Sequence, residues 1–384
     1  MHVLILGARA PACLEWARAF EAEGWQVTVA DSLVYPVARS SRAIHRYVRL
    51  PEPRYHTQAW ITALKTLVIA QSIDVILPTC EEAFYLAHGL PQLTPHCRVM
   101  TSEFATMHRL HHKYQFAEMT RDWVISAPPT WLLDTPESVM AWSEQAHQLV
   151  FKPVYSRFAS QTLIRPPPQK CAQIQASVAH PWVAQQFIAG REHCSFSLLV
   201  AGQLTAHACY HPRYRVGRGS GIYLEPTYPA AIQDFLVQFG AATQYTGQVG
   251  FDFIEAADGR FYVLECNPRG TSGVHLFDDQ APALVRALLG ERTEVLLPTN
   301  QAKMVAFAML LFAAPKYLFD RVFWQDFQQA QDVITRPDDR RPLLMQIPSL
   351  LEMMTRALTR RTGLLAAATA DIEWDGQAMD TLQP

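Results

Sequence analysis

Cysteine motifs that would form disulfides or bind metals are missing from this chain. Its seven cysteines are scattered, and no two of them form a Cys-x-x-Cys pair. They stand at Cys13, Cys80, Cys97, Cys171, Cys194, Cys209 and Cys266. Because disulfide frameworks and zinc sites depend on regular cysteine spacing, both are disfavoured and reduced thiols are expected.

Strong charge and long apolar runs are missing as well. The net charge is −2, which gives no reason to expect nucleic acid or an anionic membrane as a partner. The most apolar run, Ala302–Ala314, is interrupted by Lys303 and is too short to span a bilayer. The first residues, MHVLILGAR, lack the features of a signal peptide. We therefore expect a cytoplasmic protein.

The N-terminal pattern predicts a doubly wound parallel sheet. His2–Leu6 is an apolar strand, Pro11–Glu23 has helical periodicity, and Trp25–Ala30 is a second strand. Thr57–Gln71 predicts another helix, and Val75–Pro78 another buried strand. The glycines of a dinucleotide-binding Gly-x-Gly-x-x-Gly loop are missing after the first strand, which argues against a nicotinamide cofactor.

A β-hairpin dominates the second half of the chain. Gly250–Ile254 and Arg260–Cys266 are apolar runs joined by an Ala-Asp-Gly turn. Strict alternation would place Tyr262, Leu264 and Cys266 on one face, and Phe261, Val263 and Glu265 on the other. Pairing of the strands would bring Asp252 close to Glu265, with Asn267 on the same side. Two carboxylates and an amide oxygen suit Mg²⁺ carrying a phosphate chain.

This hairpin, together with the Asn-Pro-Arg-Gly that follows Glu265, resembles the metal-binding hairpin of the ATP-grasp superfamily, in its carbamoyl-phosphate-synthetase-like branch. The resemblance extends over roughly residues 1–300. It implies ATP and two Mg²⁺ ions, with Mn²⁺ as an alternative. Glu265 would bridge both ions, Asp252 and Asn267 would each hold one, and Arg269 would contact the transferred phosphoryl group.

The resemblance also implies a set of ATP-binding residues. Lys113, expected in a helix over Thr106–Met119, and Lys152, at the end of a strand, match its two nucleotide-binding lysines. Gln185, Gln186, Phe187 and Ile188 match the adenine hinge, and Glu192 matches the carboxylate that binds ribose. The loop after Lys152 departs from the family because it contains no glycine, although Ser156, Arg157 and Ser160 offer side chains for phosphate.

Arginines between the predicted strands suggest a substrate loop. Arg213, Arg215 and Arg218 stand among glycines, a pattern that favours anion capture as much as a solvated loop. Arg215 is a second candidate, after Arg269, for stabilising charge during phosphoryl transfer. Ser272 and Gly273, which follow the hairpin, are further substrate candidates. Glu81 and Glu82, after the strand at residues 75–78, either approach the substrate or complement a helix N-terminus.

We divide the α/β chain into an N-terminal domain (1–105), an ATP-grasp module (106–300) with antiparallel sheets, and a helical C-terminal region (301–384). Within the module, residues 122–184 would form the lid and 185–300 the catalytic subdomain. In the C-terminal region, Pro342 and Pro348 would break helical register, and arginines 356, 360 and 361 lie opposite apolar residues, as on an amphipathic surface helix. This region could be a dimer surface, a cap over the active site or a partner dock.

The sequence therefore predicts an ATP-dependent ligase that activates a small-molecule carboxylate as an acyl phosphate and couples it to an amine. A thiol acceptor, bicarbonate or carbamoyl phosphate chemistry, and a nucleotide-binding regulator without turnover are the alternatives. A homodimer is compatible with the sequence.

Overall fold

The computed structural model describes residues 1–156, 161–217 and 219–379. Within them the strands form four sheets, which contain five, four, seven and two strands. Three of these sheets follow one another along the chain, and their edges surround the cavity described below.

The N-terminal sheet is parallel and carries helices on both faces. Its strands are β1 (His2–Leu6), β2 (Gln26–Asp31), β3 (Arg46–Arg49), β4 (Val75–Leu77) and β5 (Arg98–Val99). They lie in the order β3-β2-β1-β4-β5. The helices are α1 (Pro11–Ala22), α2 (Thr57–Gln71), α3 (Glu82–His88) and α4 (Leu90–Leu93), with a 3₁₀ turn at Val37–Ser40. Val3 and Ile5 pack in the core that contains α1, whereas Leu4 and Leu6 pack in the core of α2 and α3, which confirms the doubly wound fold.

The helix predicted over residues 106–119 is in fact two helices, α5 (Phe104–His111) and α6 (Lys113–Met119). His112 has an extended backbone, and its ring nitrogen accepts a hydrogen bond from the N–H of Gln115, so it acts as the N-cap of α6. The prediction failed because apolar periodicity does not show this cap. The break places Lys113 at the start of α6, where it is buried.

The lid forms a small antiparallel sheet. Its strands are β6 (Thr130–Leu133), β7 (Leu149–Pro153), β8 (Leu163–Ile164) and β9 (Trp182–Gln186), in the order β6-β9-β7-β8. Two short helices, α7 (Pro136–Met140) and α8 (Pro168–Cys171), and a 3₁₀ turn at Ala146–Gln148 complete it. Leu133, Phe151 and Ala184 are at the centre of a separate hydrophobic core, so the lid packs as its own unit.

The largest sheet positions the hairpin. Its strands are β10 (Gly190–Val200), β11 (Gln203–Pro212), β14 (Tyr223–Thr227), β15 (Gly247–Ala256), β16 (Phe261–Asn267), β17 (Lys303–Met304) and β18 (Gln331–Asp332). A separate ribbon consists of β12 (Arg215–Val216) and β13 (Ser220–Gly221). The sheet order is β16-β15-β10-β11-β14-β17-β18. Two helices, α9 (Ala230–Thr243) and α10 (Ala281–Leu289), and a 3₁₀ segment at Ser272–Phe277 belong to the same part of the chain.

The strict alternation predicted for the second hairpin strand is wrong. Asp252 pairs with Glu265, but the next residue, Phe253, pairs with Val263, so Leu264 has no partner in the register. This β-bulge shifts the side-chain pattern by one residue. Val263 and Cys266 consequently share one buried core, while Leu264 and Glu265 both line the cavity.

The C-terminal region is not wholly helical, because β17 and β18 join the large sheet. Its helices are α11 (Ala306–Ala308), α12 (Ala314–Tyr317), α13 (Arg321–Gln329), α14 (Arg341–Arg360) and α15 (Leu364–Ala367), with a π-helical segment at Met309–Ala313. Among the described residues no helix has the length and apolarity needed to cross a membrane.

Helix α14 differs from the sequence-based expectations in its continuity through a proline and in the direction of its arginine side. It runs through Pro348, although a proline inside a helix costs about 3 kcal/mol. Tertiary contacts offset this cost: Glu352 accepts the backbone N–H groups of Val34 and Tyr35, and Arg360 pairs with Glu52. The arginine side therefore faces the N-terminal domain, while the apolar Met354 and Leu358 are exposed.

Candidate active site

A cavity of about 620 Å³ lies among the N-terminal domain, the lid, the large sheet and the C-terminal region. Most of the residues predicted for the site line this cavity. They are Lys152, Ser156, Gln185, Gln186, Phe187, Ile188, Glu192, Arg215, Asp252, Glu265, Asn267, Arg269 and Ser272. The structure thus gathers side chains that stand more than a hundred residues apart in sequence.

Of the other predicted residues that the structure describes, Lys113, Arg213 and Gly273 do not line the cavity. Lys113 lies behind the wall and reaches it through Glu265. Gly273 is buried, and a Cβ atom there would approach the Cβ of Phe196 to 2.6 Å, so its small size serves packing. Arg157, Ser160 and Arg218 lie outside the described residues.

Two carboxylates face each other at the hairpin. Asp252 and Glu265 are register partners on β15 and β16, as predicted, and both line the cavity. Burial and the neighbouring Glu265 raise the pKa of Asp252. Burial acts in the same direction on Glu265, but the ammonium groups of Lys113 and Lys152 outweigh it and hold the pKa of Glu265 below its ordinary value. The pair is therefore a concentration of negative charge that favours a cation.

Two buried lysines flank the carboxylates. The Nζ atom of Lys113 lies 3.5 Å from Glu265 Oε2 and donates to the carbonyl oxygen of Val154 at 3.3 Å. The Nζ atom of Lys152 donates to the carbonyl oxygen of Leu264 at 3.2 Å, at the bulge. Burial lowers the pKa of Lys152 to about 8, against the opposing effect of Glu265. The two ammonium groups and the carboxylates thus meet across the lid and the hairpin.

Arg269 is held in place by its neighbours. Its Nη2 donates to the amide oxygen of Asn267 at 3.0 Å, its Nη1 donates to the carbonyl oxygen of Gly270 at 3.1 Å, and its Nε lies 3.4 Å from Glu81. Glu82 accepts the N–H groups of residues 79 and 80 and so shapes its own loop. Neither glutamate lines the cavity, so the predicted approach to substrate is replaced by support of Arg269 and of the loop.

The predicted adenine hinge follows β9. Gln185 is buried, and its side-chain nitrogen donates to the Thr130 hydroxyl at 3.0 Å, which orients the amide oxygen. The N–H of Phe187 donates to the carbonyl oxygen of Gln148 at 2.8 Å. An adenine ring in this part of the cavity could accept a hydrogen bond from the Phe187 N–H only if the carbonyl oxygen of Gln148 gave up its own.

Arg213 and Arg215, from the segment predicted as a substrate loop, lie in different environments. Arg215 lines the cavity and pairs with Glu192, so the two residues predicted for phosphoryl transfer and for ribose contact each other. Arg213 points elsewhere, with its Nη1 at 3.3 Å from Asp326 of α13. This placement favours a structural role for Arg213.

Sequence reasoning missed the wall contributed by the two ends of the chain. Arg9, Met353 and Thr369 line the cavity, together with Tyr210 and His275. His275 contacts Glu15 at 3.0 Å, and both are buried. No local motif marks these residues, because they meet only through contacts between distant segments.

The hairpin offers oxygen atoms of the kind that divalent metals bind. Asp252, Glu265 and Asn267 offer oxygen atoms, which hard cations such as Mg²⁺ prefer. Within the described part of the chain no group of three or more His, Cys, Asp or Glu residues is placed to hold a metal. Two carboxylates and one amide would leave coordination positions open for a ligand.

Comparison with a family of known domains agrees with this geometry. Residues 110–273 match the ATP-grasp domain, so the chain contains an ATP-grasp domain and the resemblance seen in the sequence is confirmed. This segment includes both lysines, the hinge and the complete hairpin. No curated protein sequence matches the chain significantly.

Solved structures share the fold at low sequence identity. N5-carboxyaminoimidazole synthetase from Staphylococcus aureus, complexed with ADP, has a TM-score of 0.62 at 13% identity, over 88% of this chain and 91% of that chain. L-amino acid ligase from Bacillus licheniformis has a TM-score of 0.57 at 16% identity, over 75% and 74%. The biotin carboxylase domain of 2-oxoglutarate carboxylase from Hydrogenobacter thermophilus, with MgADP and bicarbonate, has a TM-score of 0.61 at 15% identity, over 78% and 73%.

Proposed function

We propose that the protein is an ATP-dependent ligase that activates a small-molecule carboxylate as an acyl phosphate and transfers the acyl group to an amine. One observation carries the proposal: the Asp252–Glu265 pair faces the same cavity as Lys152 and the hinge at residues 185–188. Negative and positive groups side by side at the cavity suit a metal-bound triphosphate better than either a free anion or a free cation.

In this proposal ATP occupies the part of the cavity between the lid and the hairpin. Lys152 neutralises its phosphates, Lys113 supports this charge from behind Glu265, and the Gln185 amide oxygen accepts from the adenine amino group. Asp252, Glu265 and Asn267 would hold Mg²⁺, which would supply positive charge against the phosphates of ATP. Glu192 reaches the ribose only if its pairing with Arg215 opens, which links nucleotide binding to the arginine loop.

The chemistry then needs two steps on the substrates. A carboxylate oxygen attacks the γ-phosphorus, the bond to the β-phosphate oxygen breaks, and ADP leaves. The amine nitrogen then attacks the acyl carbon, the carbon–oxygen bond to phosphate breaks, and the amine loses a proton. Arg269, fixed by Asn267 and Glu81, stabilises the charge that spreads over the transferred group. The lid excludes water, which would otherwise hydrolyse the acyl phosphate.

The C–N ligase reading is favoured over the alternatives by likeness to a solved L-amino acid ligase, whereas likeness to a biotin carboxylase domain with bound bicarbonate supports the bicarbonate alternative. A thiol acceptor would use the same first step. A regulator without turnover would not need a fixed arginine beside the carboxylate pair.

The test is ADP and phosphate release from MgATP across a panel of carboxylic acids, each with and without amines, thiols and bicarbonate. Release that requires both an acid and an amine, with a product whose mass equals their condensation, supports the proposal. Release with bicarbonate or a thiol in place of the amine assigns the corresponding alternative. Tight ATP binding without release under any combination contradicts a ligase and supports the regulator.

A further inference from the structure

The cavity extends well beyond the carboxylates and the hinge. Its far wall is built where the N-terminal domain meets the C-terminal region, and it is mostly apolar. This wall, called here the far chamber, consists of Ala10, Pro11, Ala12, Val333, Met353 and Ala368, together with the small polar residues Ser349 and Thr369. These residues come from the start of α1, from the segment after β18, from α14 and from the end of the chain, so none belongs to the lid or the hairpin.

The Arg9 guanidinium lies beside the far chamber but is already paired with other groups of the protein. Arg9 lines the cavity, but its guanidinium contacts Asp31 at 2.5 Å and Asp371 at 2.6 Å. It also donates to the carbonyl oxygen of Ala368 at 2.8 Å. A substrate carboxylate or phosphate would have to displace two buried carboxylates to bind this arginine. The far chamber therefore does not favour a charged group.

One polar atom in this wall has no partner within the protein. Thr369 is only 6% exposed and lines the cavity, and its hydroxyl makes no hydrogen bond in the described structure. A buried hydroxyl without a partner is unfavourable unless a ligand or water satisfies it. The oxygen of this hydroxyl is itself buried, so it is not among the contacts that the far chamber offers a ligand.

Met353 sets the depth of this wall. It is 8% exposed on α14, with its side chain toward the cavity, whereas its neighbour Met354 is 47% exposed and does not line the cavity. Methionine is flexible and fills irregular space, so shortening it enlarges a pocket without changing its polarity.

We infer that the far chamber binds the aliphatic or aromatic side chain of one of the two ligase substrates, with Met353 limiting its length. This inference rests on the proposed function and adds the substrate class. The side chain belongs either to the carboxylate or to the amine, and the chemistry of the wall is the same for both.

The first experiment measures binding, so that it does not depend on turnover. The full-length protein, with Mg²⁺ and a non-hydrolysable ATP analogue, is titrated calorimetrically with ligands that carry leucine, phenylalanine, glutamate or lysine side chains. Each is supplied as the N-acetyl acid and as the amino amide, which separates the carboxylate source from the amine source. We expect the leucine or phenylalanine series to bind at least about tenfold more tightly than the charged series in one of the two forms.

Variants then assign the pocket to its residues. Met353→Ala should shift preference toward the larger side chain by about tenfold, because added methylenes find space. Met354→Ala is the matched control and should bind like the unmodified protein. If Met353→Ala does not fold, Ala368→Val provides a second test, since a narrower chamber should weaken binding of the larger side chain roughly two- to tenfold.

The outcomes separate this inference from the ligase proposal. Preference for charged side chains, or equal behaviour of Met353→Ala and Met354→Ala, would refute the apolar pocket even if ADP is released. Selective binding of apolar side chains that depends on Met353, with no ADP release under any condition, would support the pocket and refute the ligase.

Discussion

Two clusters of buried charge can be compared in this molecule. At the hairpin, Lys113 lies 3.5 Å from Glu265, and the Glu265 side chain remains 27% exposed to the cavity. Near the chain end, Arg9 lies 2.6 Å from Asp371, whose side chain is fully buried. The first cluster has long contacts and open carboxylates, whereas the second has short contacts and saturated ones. Similar residue types are thus left open to a ligand in one place and paired within the fold in the other.

The contrast also appears in the acid–base properties of the two clusters. At the hairpin, burial and the nearby Glu265 raise the pKa of Asp252, because the two carboxylates repel each other. Near the chain end, burial is outweighed by hydrogen bonding and charge from Arg9, and the pKa of Asp371 falls well below its usual range. A bound cation stabilises two carboxylates that repel each other, whereas carboxylates already paired with arginine gain nothing from one.

The largest expected effect on ATP turnover follows from removing the negative charge of Glu265. Glu265→Gln should lower ATP turnover by about a thousandfold, because several kcal/mol of metal-assisted charge stabilisation would be lost. The melting temperature should fall modestly, because the buried ammonium groups of Lys113 and Lys152 would lose their carboxylate partner while Asp252 would lose a repulsive neighbour. Kinetics of ADP release and thermal unfolding measure the two quantities. Asp258→Asn, in the exposed hairpin turn, is the control, and unchanged turnover in Glu265→Gln would disprove the metal assignment.

Arg269 should show the next largest effect. Arg269→Ala should lower kcat by about 10²–10³-fold, as expected when one fixed donor to developing charge is removed, while ATP affinity is maintained. Steady-state kinetics and a separate nucleotide-binding titration check these two expectations. Arg213→Ala is the matched control, because Arg213 contacts Asp326 and does not line the cavity. A collapse of ATP affinity with kcat preserved would contradict the role of Arg269.

The second cluster should respond in the opposite way. Asp371→Asn should lower the free energy of unfolding by about 3 kcal/mol, because Arg9 and Arg356 would lose a buried partner. The kcat of the folded protein should change little. Chemical denaturation and kinetics on the same preparation measure both. A large loss of kcat at unchanged stability would mean that this cluster acts in catalysis and would remove the contrast.

Acid should reproduce part of this loss. A carboxyl whose pKa is depressed in the folded state contributes stability that is present above its unfolded pKa and lost as the pH falls. Unfolding of the wild-type protein should therefore become easier below about pH 4. Asp371→Asn should show a weaker dependence over the same range, since the titrating group is gone.

The comparison also explains what the sequence could and could not predict. The hairpin was predictable because its chemistry is local: two apolar runs, a turn and the spacing of Asp252 and Glu265 determine which carboxylates meet. Its bulge at Leu264 was not predictable, because periodicity alone does not show where a register shifts. The N-terminal fold was predictable for the same local reasons.

The chain end was not predictable from its own sequence. Asp371 meets Arg9 across the whole length of the chain, and Trp374 lies 5.2 Å from the ring of Tyr155, at the start of the loop after Lys152. Amphipathic periodicity suggested a helix with an outward arginine side, but ion pairs with Glu52 turn that side inward. Local patterns cannot reveal partners that are supplied by distant segments.

The smallest expected effect concerns Lys152, whose charge connects the lid to the hairpin. Burial lowers the pKa of this lysine to about 8, so in the free protein its positive charge is lost over an accessible pH range. The dissociation constant for MgATP should rise about tenfold between pH 7 and pH 9, if the protonated form is the one that binds. Lys152→Arg should remove most of this dependence, because arginine stays charged. A flat profile in the wild-type protein would exclude Lys152 as a phosphate ligand.

The stability of the ligand-free protein should change in the opposite direction over this range. Between about pH 8 and the unfolded lysine pKa of about 10.4, the unfolded state binds more protons at Lys152 than the folded state does. The contribution of this residue to stability therefore rises with pH while affinity for ATP falls. Asp371 shows no such opposition, since it stabilises the fold and binds no ligand. If MgATP affinity falls while the free energy of unfolding rises with pH, the positive charge of Lys152 favours ligand binding and destabilises the ligand-free fold.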